Sequence, residues 1–314
     1  MSGRKAVCVI GWPAGHSRSP LIHNYWIKQQ GLDAEYRKEA IPPEQFPEFV
    51  THLRAHGYVG CNVTVPHKQV ALELSQPDER AKGVGAANTL WLDGEKLRST
   101  NTDCEGFLAN LDAATPGWDR GLESAMVLGA GGGARAVVYG LLQRDVRRIY
   151  VVNRTLERAE TLRKAFGPRV YPVGWNEMTG LLGGVGLLVN TTSLGMVGQP
   201  PLEINLRCPA SLVVADLVYV PLQTGLLAAA RERGLRTADG LGMLLHQAVR
   251  GFQLWFGVKP EVTVELRALV EADLAATAPV VAKPVVKPAA MKAPDKVTMK
   301  LRGPKSLRKN PRNK

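Results

Sequence analysis

The chain is poor in aromatic residues, at 6%, and carries four cysteines in 314 residues. Cys8, Cys61, Cys104 and Cys208 lie far apart, with no Cys-x-x-Cys step and no metal-like Cys/His spacing. That argues against a disulfide framework and against a bound metal. No run of ~18 apolar residues occurs, so no membrane span is expected. The first apolar run, 6–10, is too short for a secretory signal and is broken by Gly11 and Pro13. The expectation from these absences is a soluble, reduced, cytoplasmic protein. What is present supports folding: 45% hydrophobic residues are enough for real cores, and the length suits about two domains.

Basic residues exceed acidic ones, 40 to 28, for a formal charge of +12. The excess is local. Residues 279–314 hold eleven Lys or Arg and one acid, Asp295, a net +10, which leaves only +2 on residues 1–278. With repeated Lys-Pro and Pro-Ala steps and no aromatic residue, this tail is expected to be disordered. Basic tails bind phosphate backbones electrostatically. A scaffold whose tail contacts nucleic acid or an acidic partner is therefore the alternative from a different functional class. The tail lacks stacking residues and the body carries no nucleic-acid reader motif.

Residues 1–278 alternate strand and helix patterns. Strands are expected at 6–10, 35–39, 58–65, 125–128, 148–153, 187–190 and 212–216. Helices are expected at 20–30, with Leu21, Tyr25 and Ile27 on its apolar side, and at 43–56, with Phe46, Phe49, Val50 and Leu53 inward. Further helices are expected from the glycine-rich turn to about 144, and at 156–166, 222–233 and 243–256. This alternation implies an α/β fold with parallel sheets.

Gly129-Ala130-Gly131-Gly132-Gly133-Ala134 follows an apolar strand and opens a helix, the setting a dinucleotide fingerprint requires. Gly129 permits the tight turn, Gly131 removes a side chain where pyrophosphate approaches, and Ala134 lets helix and sheet pack closely. The helix N-terminus offers free N–H groups to phosphate. About twenty residues on, where an NAD enzyme places a carboxylate for the ribose 2′-hydroxyl, the chain reads Asn153-Arg154-Thr155. Arg154 suits a 2′-phosphate instead, so the expected cofactor is NADP.

Other polar clusters are each ordinary alone, since Ser caps helices and Asn marks turns. They are Ser17-Arg18-Ser19-Pro20, Asn62-Val63-Thr64-Val65-Pro66-His67-Lys68, Gly85-Ala86-Ala87-Asn88-Thr89 and Asn101-Thr102-Asp103. Downstream come Asn190-Thr191-Thr192-Ser193-Leu194-Gly195-Met196, Asp216-Leu217-Val218-Tyr219-Val220-Pro221 and Asp239-Gly240-Leu241-Gly242-Met243-Leu244, with Gln247. In this order, over about residues 5–270, they closely resemble the NADP-dependent shikimate dehydrogenase family.

The resemblance implies that Ser17 and Ser19 hold the substrate carboxylate, and that Lys68 and Asp103 form the catalytic pair at the reacting hydroxyl. It implies that Thr64, Asn88, Tyr219 and Gln247 orient the ring. It assigns NADP to Gly129 through Ala134 and to Asn153, Arg154 and Thr155, with Gly240 and Met243 near the nicotinamide. The reaction implied is reversible reduction of 3-dehydroshikimate to shikimate in aromatic amino-acid biosynthesis. Ser19 leans toward shikimate over quinate, and a quinate/shikimate dehydrogenase of broader specificity is the runner-up. One departure stands out: the family usually continues Asn-Thr-Asp with Gly, and here Cys104 follows. His16 and His67 are read as loop residues.

In such a reaction the cofactor takes the hydride and the protein handles a proton. A lysine beside the oxygen can accept or donate it when burial favours the neutral amine, while a carboxylate fixes the lysine. Either Lys68 or Asp103 can be assigned the proton at this stage. The expected architecture is an N-terminal α/β substrate domain at 1–104 and a Rossmann-type, doubly wound NADP domain at 105–238. Helices at 239–278 return to the first domain, the tail occupies 279–314, and the active site lies in the interdomain cleft. A homodimer is left open.

Overall fold

The computed structural model describes residues 4–277; the tail expected to be disordered lies outside them. The first part of the chain builds one sheet. Strand β1 (Lys5–Gly11) runs into helix α1 (Ser19–Gln29), then β2 (Ala34–Ala40), α2 (Phe46–Thr51) and β3 (Tyr58–Val63). Helix α3 (Lys68–Glu73), the two-residue β4 (Gln76–Pro77) and α4 (Glu79–Val84) follow, then the hairpin strands β5 (Thr89–Asp93) and β6 (Lys96–Thr100). The strand order is β2-β1-β3-β5-β6-β4.

This sheet corrects the expectation of wholly parallel pairing. β1 pairs in parallel with β2 and β3, but β5 is antiparallel to both β3 and β6. Strands β5 and β6 are joined across Gly94-Glu95, with Asp93 opposite Lys96. A two-residue link permits only a hairpin, because a parallel connection needs a dozen or more residues.

Local expectations shift in the same region. The helix expected over 43–56 is regular only at α2, although Phe46, Val50 and Leu53 are buried as read. The strand expected to reach 65 stops at Val63, ahead of the Val65–Pro66 bond. In α1 the buried residues are Ser19, Ile22, His23, Trp26 and Ile27, with Leu21 and Tyr25 only partly buried against the same core. The ring of His23 stacks on Tyr36 at 4.3 Å, and full burial lowers its pKa to about 3, so it stays neutral.

Helix α5 (Asp103–Ala114) leads to the second sheet. It comprises β7 (Ser124–Leu128), α6 (Gly132–Gln143), β8 (Arg148–Asn153), α7 (Leu156–Phe166), β9 (Val170–Gly174), α8 (Met178–Leu181), β10 (Leu187–Asn190), β11 (Val213–Asp216), α9 (Gly225–Glu232) and β12 (Arg236–Ala238). Every pairing is parallel. The order β9-β8-β7-β10-β11-β12 is the doubly wound dinucleotide-binding order, with its reversal between β7 and β10. Both faces are covered, so β7 is buried throughout. Ala125 and Val127 join one core cluster while Met126 and Leu128 join the other, as the period of two demands.

Helices α10 (Gly240–Phe256) and α11 (Val264–Thr277) complete the described chain. They pack on the first sheet: Leu241, Leu245, Phe252, Leu266 and Val270 share a core with Val7, Val9 and Trp26. Helix α10 starts at Gly240, earlier than expected, because Asp239 caps it by accepting from Gly242 N–H. Helix α9 likewise starts at Gly225, capped by Thr224, rather than at 222. Helix α5 spans the boundary expected at 104/105 and packs closely on α10. A Cβ at Gly106 would lie 2.6 Å from Gln247 Cβ and 2.8 Å from the Met243 carbonyl oxygen. No residue larger than glycine fits there without parting the two helices.

Candidate active site

A cavity of ≈ 370 Å³ opens between the two sheets. Strand ends and helix starts supply its walls. Ser17 and Ser19 enter from the loop that becomes α1. Ser19 is buried at the first helical position, and its N–H donates to Ser17 Oγ at 3.2 Å. Thr64 lies just past β3, Lys68 opens α3 and Asn88 precedes β5. Asp103 opens α5, Tyr219 follows β11, and Gln247 comes from α10. All eight substrate-side and catalytic candidates line this one cavity, together with Gly133, Gly240 and Met243.

Lys68 Nζ donates to Asp103 Oδ2 at 2.6 Å, and both side chains are largely shielded from solvent. Asp103 Oδ1 accepts from Asn88 Nδ2 at 2.8 Å. The amide of Asn88 is held in turn, since its Oδ1 accepts from Thr102 N–H at 2.8 Å. Both oxygens of Asp103 therefore have fixed donors, and the acid is oriented rather than free to rotate. Opening a helix at Asp103 also sets its charge against the positive end of the α5 dipole.

His67 is not a plain loop residue. It is buried at the N-cap position of α3, its ring stacks on Phe46 at 4.3 Å, and Nε2 contacts the Ile41 carbonyl at 2.8 Å. Burial lowers its pKa, so it acts as a neutral anchor for the residue that follows, Lys68. His16 is exposed at the cavity rim. Burial raises the Tyr219 phenol, and the nearby Arg18 charge opposes that.

Cys104 follows Asp103 in α5 and is buried. It points away into a small cluster with Val84, Ala86 and Ala136, facing Gly140 of α6. Burial pushes its thiol up to about 12, so it is packing material rather than a nucleophile.

Asn62 is a buried polar lining residue to which the sequence assigned no role. It is buried on β3, accepts from Tyr36 Oη at 2.6 Å and donates to Thr89 Oγ1 at 3.0 Å. Its signal was an Asn in a strand of otherwise small and apolar residues, where an amide needs a partner.

Next to the cavity lies the glycine-rich turn after β7. Gly129 takes φ 99°, a conformation that favours glycine, and a Cβ there would sit 2.8 Å from Thr191 Oγ1 after β10. The turn thus sits at the point where the strand order reverses. Cβ atoms at Gly131 and Gly132 would meet nothing within 4 Å, so no packing inside the chain demands these glycines. Gly131 is the N-cap of α6 and no side chain caps that helix. Ala134 is fully buried, which confines it to helix–sheet packing. At the end of β8, Asn153 Nδ2 donates to the Thr155 carbonyl at 2.7 Å and tightens the turn that presents Arg154. Arg154 is exposed and has no ion-pair partner among the described residues. Of the cofactor candidates, Gly129 to Gly132, Ala134 and Asn153 to Thr155 lie outside the cavity lining.

Asp216 ends β11 and controls the segment that carries Tyr219. Its Oδ1 accepts from Val218 N–H and Asn190 Nδ2, and its Oδ2 from Thr224 Oγ1 at 2.7 Å. Burial raises its pKa from 3.8 to about 6, more than these hydrogen bonds lower it. The folded state therefore holds the proton more tightly than the unfolded chain. Stability from this group is full below pH ~3.8 and lost as pH rises to about 6. Asp216→Asn should remove that loss, on the order of 2–3 kcal/mol. Thermal midpoints of both proteins from pH 4 to 7 check it: the difference should grow with pH and level off above 6.

Comparison with known proteins places these features. Residues 9–90 match the model of the shikimate dehydrogenase substrate binding domain, 119–195 that of shikimate / quinate 5-dehydrogenase, and 240–269 that of the shikimate 5'-dehydrogenase C-terminal domain. A shikimate dehydrogenase (NADP(+)) of Rhodopseudomonas palustris strain TIE-1 is 67% identical over 273 residues, 87% of this chain and 98% of that protein. Among solved structures, a Thermus thermophilus shikimate 5-dehydrogenase in complex with NADP(H) and shikimate matches with TM-score 0.73 and 33% identity, over 87% of this chain and 99% of that one. A Corynebacterium glutamicum quinate dehydrogenase in complex with NAD matches with TM-score 0.77 and 29% identity, over 86% and 100%.

Proposed function

The chain belongs to the shikimate dehydrogenase family, and we propose that it interconverts shikimate and 3-dehydroshikimate with NADP in the cytoplasm, on the route to aromatic amino acids. The observation that carries the reading is the 2.6 Å Lys68–Asp103 pair within a cavity lined by every residue expected to hold the substrate. No helix among the described residues is long and apolar enough to cross a membrane.

The dinucleotide side fits NADP. The open space over Gly131 and Gly132 leaves room for pyrophosphate at the uncapped α6 N-terminus. Arg154 is available for a 2′-phosphate, with no carboxylate beside it to prefer a free hydroxyl. When bound, the nicotinamide supplies the hydride acceptor or donor.

The chain's own residues do the rest. Ser17 and Ser19 hold the carboxylate and set the ring's register. Asp103 already accepts two hydrogen bonds, from Asn88 and Lys68, so we assign it to orientation. Lys68 carries the proton. In the oxidative direction its neutral amine takes the hydroxyl proton as hydride leaves carbon. In the reductive direction its ammonium returns a proton to the nascent alkoxide. Thr64 and Tyr219 favour shikimate over analogues that would leave their hydroxyls unpaired, while the amides of Asn88 and Gln247, held by Thr102, Asp103 and Leu244, shape the pocket around the ring.

The test is NADP+-dependent oxidation of shikimate by the purified full chain, followed at the nicotinamide absorbance. The family matches end at residue 269, so removal of residues 279–314 should leave kcat/KM within about twofold. Absence of turnover, together with salt-dependent nucleic-acid binding lost on truncation, would favour the tail-borne alternative.

A further inference from the structure

Arg18 stands between the two serines that receive the substrate carboxylate, yet it is not part of the cavity wall. Its side chain, 16% exposed, reaches α11 instead. Nε lies 2.6 Å from Asp273 Oδ2, Nη2 donates to Thr277 Oγ1, and Nη1 donates to the His16 carbonyl at 3.1 Å. The approach to Asp273 is an ion pair rather than an aligned hydrogen bond, since neither of those two atoms has an aligned partner. One cation thus ties the C-terminal helix to the backbone on the N-terminal side of Ser17.

The same residue sets the start of α1. Arg18 occupies its N-cap, and its carbonyl accepts from Ile22 N–H at 3.2 Å. No side chain caps this helix. The direction of Ser17 and Ser19 therefore depends on where the Arg18 backbone is held.

Helix α11 is a firm anchor. Leu266, Val270 and Leu274 are buried in the first-sheet core. Its Arg267 pairs at 2.7 Å with Asp239, the cap of α10, which carries Met243 and Gln247. One helix holds two walls of the cavity, by Asp273 on the serine side and by Arg267 on the α10 side.

We propose that α11 is a clasp for the substrate-carboxylate loop, and that Arg18 and Asp273 are positioning residues that set affinity for the acid substrate. The effect on affinity rests on the shikimate reading above; the clasp itself does not. Neither residue touches the reacting atoms, so the expected signature is a change in KM rather than in kcat.

Asp273→Asn in the full chain keeps size and removes charge. It should raise the shikimate KM about 5- to 20-fold while kcat and the NADP+ KM stay within about twofold. Asp273→Glu, which restores the charge, should recover most of the loss. Glu265→Gln removes an exposed charge from the first turn of the same helix and should leave the shikimate KM unchanged. Amide hydrogen exchange of residues 12–20 without any substrate should quicken in Asp273→Asn and not in Glu265→Gln. A shikimate KM within twofold of the parent, an equal rise in both KM values, or unaltered exchange in the loop would overturn the clasp. If the parent chain oxidises no shikimate, the reaction reading falls and the exchange result alone decides the clasp.

Discussion

Lys68→Ala should cut kcat for shikimate oxidation by about 10²–10⁴-fold, the range for loss of a positioned acid–base group, while shikimate still binds within a few-fold. The separation follows from the geometry. The amine is the group whose protons are directed both at Asp103, 2.6 Å away, and into the cavity. The groups proposed to grip the substrate, Ser17, Ser19, Thr64 and Gln247, come from other elements. The start of α3 does not depend on the lysine, because His67 is stacked on Phe46 and bonded to Ile41. Lys68→Arg is the sharper control. It keeps the charge and the ion pair, but a guanidinium does not give up its proton near neutral pH. If the lysine transfers a proton, Lys68→Arg should be nearly as inactive as Lys68→Ala. If the lysine supplies only charge, Lys68→Arg should stay substantially active. Turnover by Lys68→Ala within a few-fold of the parent would remove Lys68 from the chemistry.

Arg154→Ala should weaken NADP+ and leave NAD+ almost unaffected. A charge-assisted hydrogen bond contributes about 1.5–3 kcal/mol, which corresponds to roughly 10- to 150-fold in KM or Kd. The side chain is exposed at the end of β8, with no ion-pair partner among the described residues to satisfy it. Asn153 braces the turn beneath it through the Thr155 carbonyl. Its loss should therefore cost little stability, and the thermal midpoint of the free protein should hold. Equal weakening of both nicotinamides would mean that the turn has collapsed or that Arg154 serves pyrophosphate instead.

Four of the six strands of the second sheet, β7, β8, β10 and β11, were legible in the sequence within about a residue, while β9 and β12 went unread. Strand β8 and helix α7 lie where their patterns put them. Strands buried on both faces are short continuous apolar runs bounded by turns, and α7 has a clear 3.6-residue period. The first sheet was harder. Strand β6, Lys-Leu-Arg-Ser-Thr, has four polar residues in five and carries little hydrophobic signal. The antiparallel hairpin was hidden for that reason, although Asp93-Gly94 is a turn signal. Helix α5 was also hidden: it begins with Asp103 and contains Gly106, which local propensity disfavours and close packing against α10 requires.

The candidate site divides in the same way. Lys68, Asp103 and Ser19, singled out by the ordered motifs of the family resemblance, do share one cavity. Residues that act through a partner far along the chain were not legible. Asn62 is explained by Tyr36 and Thr89, and Arg18 by Asp273 near the end of the described chain. Tertiary folding creates these pairings, and no local pattern encodes them.

The most direct test of the central claim is a set of four kcat/KM values for the purified full chain: shikimate and quinate, each with NADP+ and NAD+. Shikimate with NADP+ should exceed each of the other three by at least about tenfold, as expected when one charged or fully paired polar contact is lost. Equal use of quinate, a preference for NAD+, or no oxidation of shikimate would contradict it.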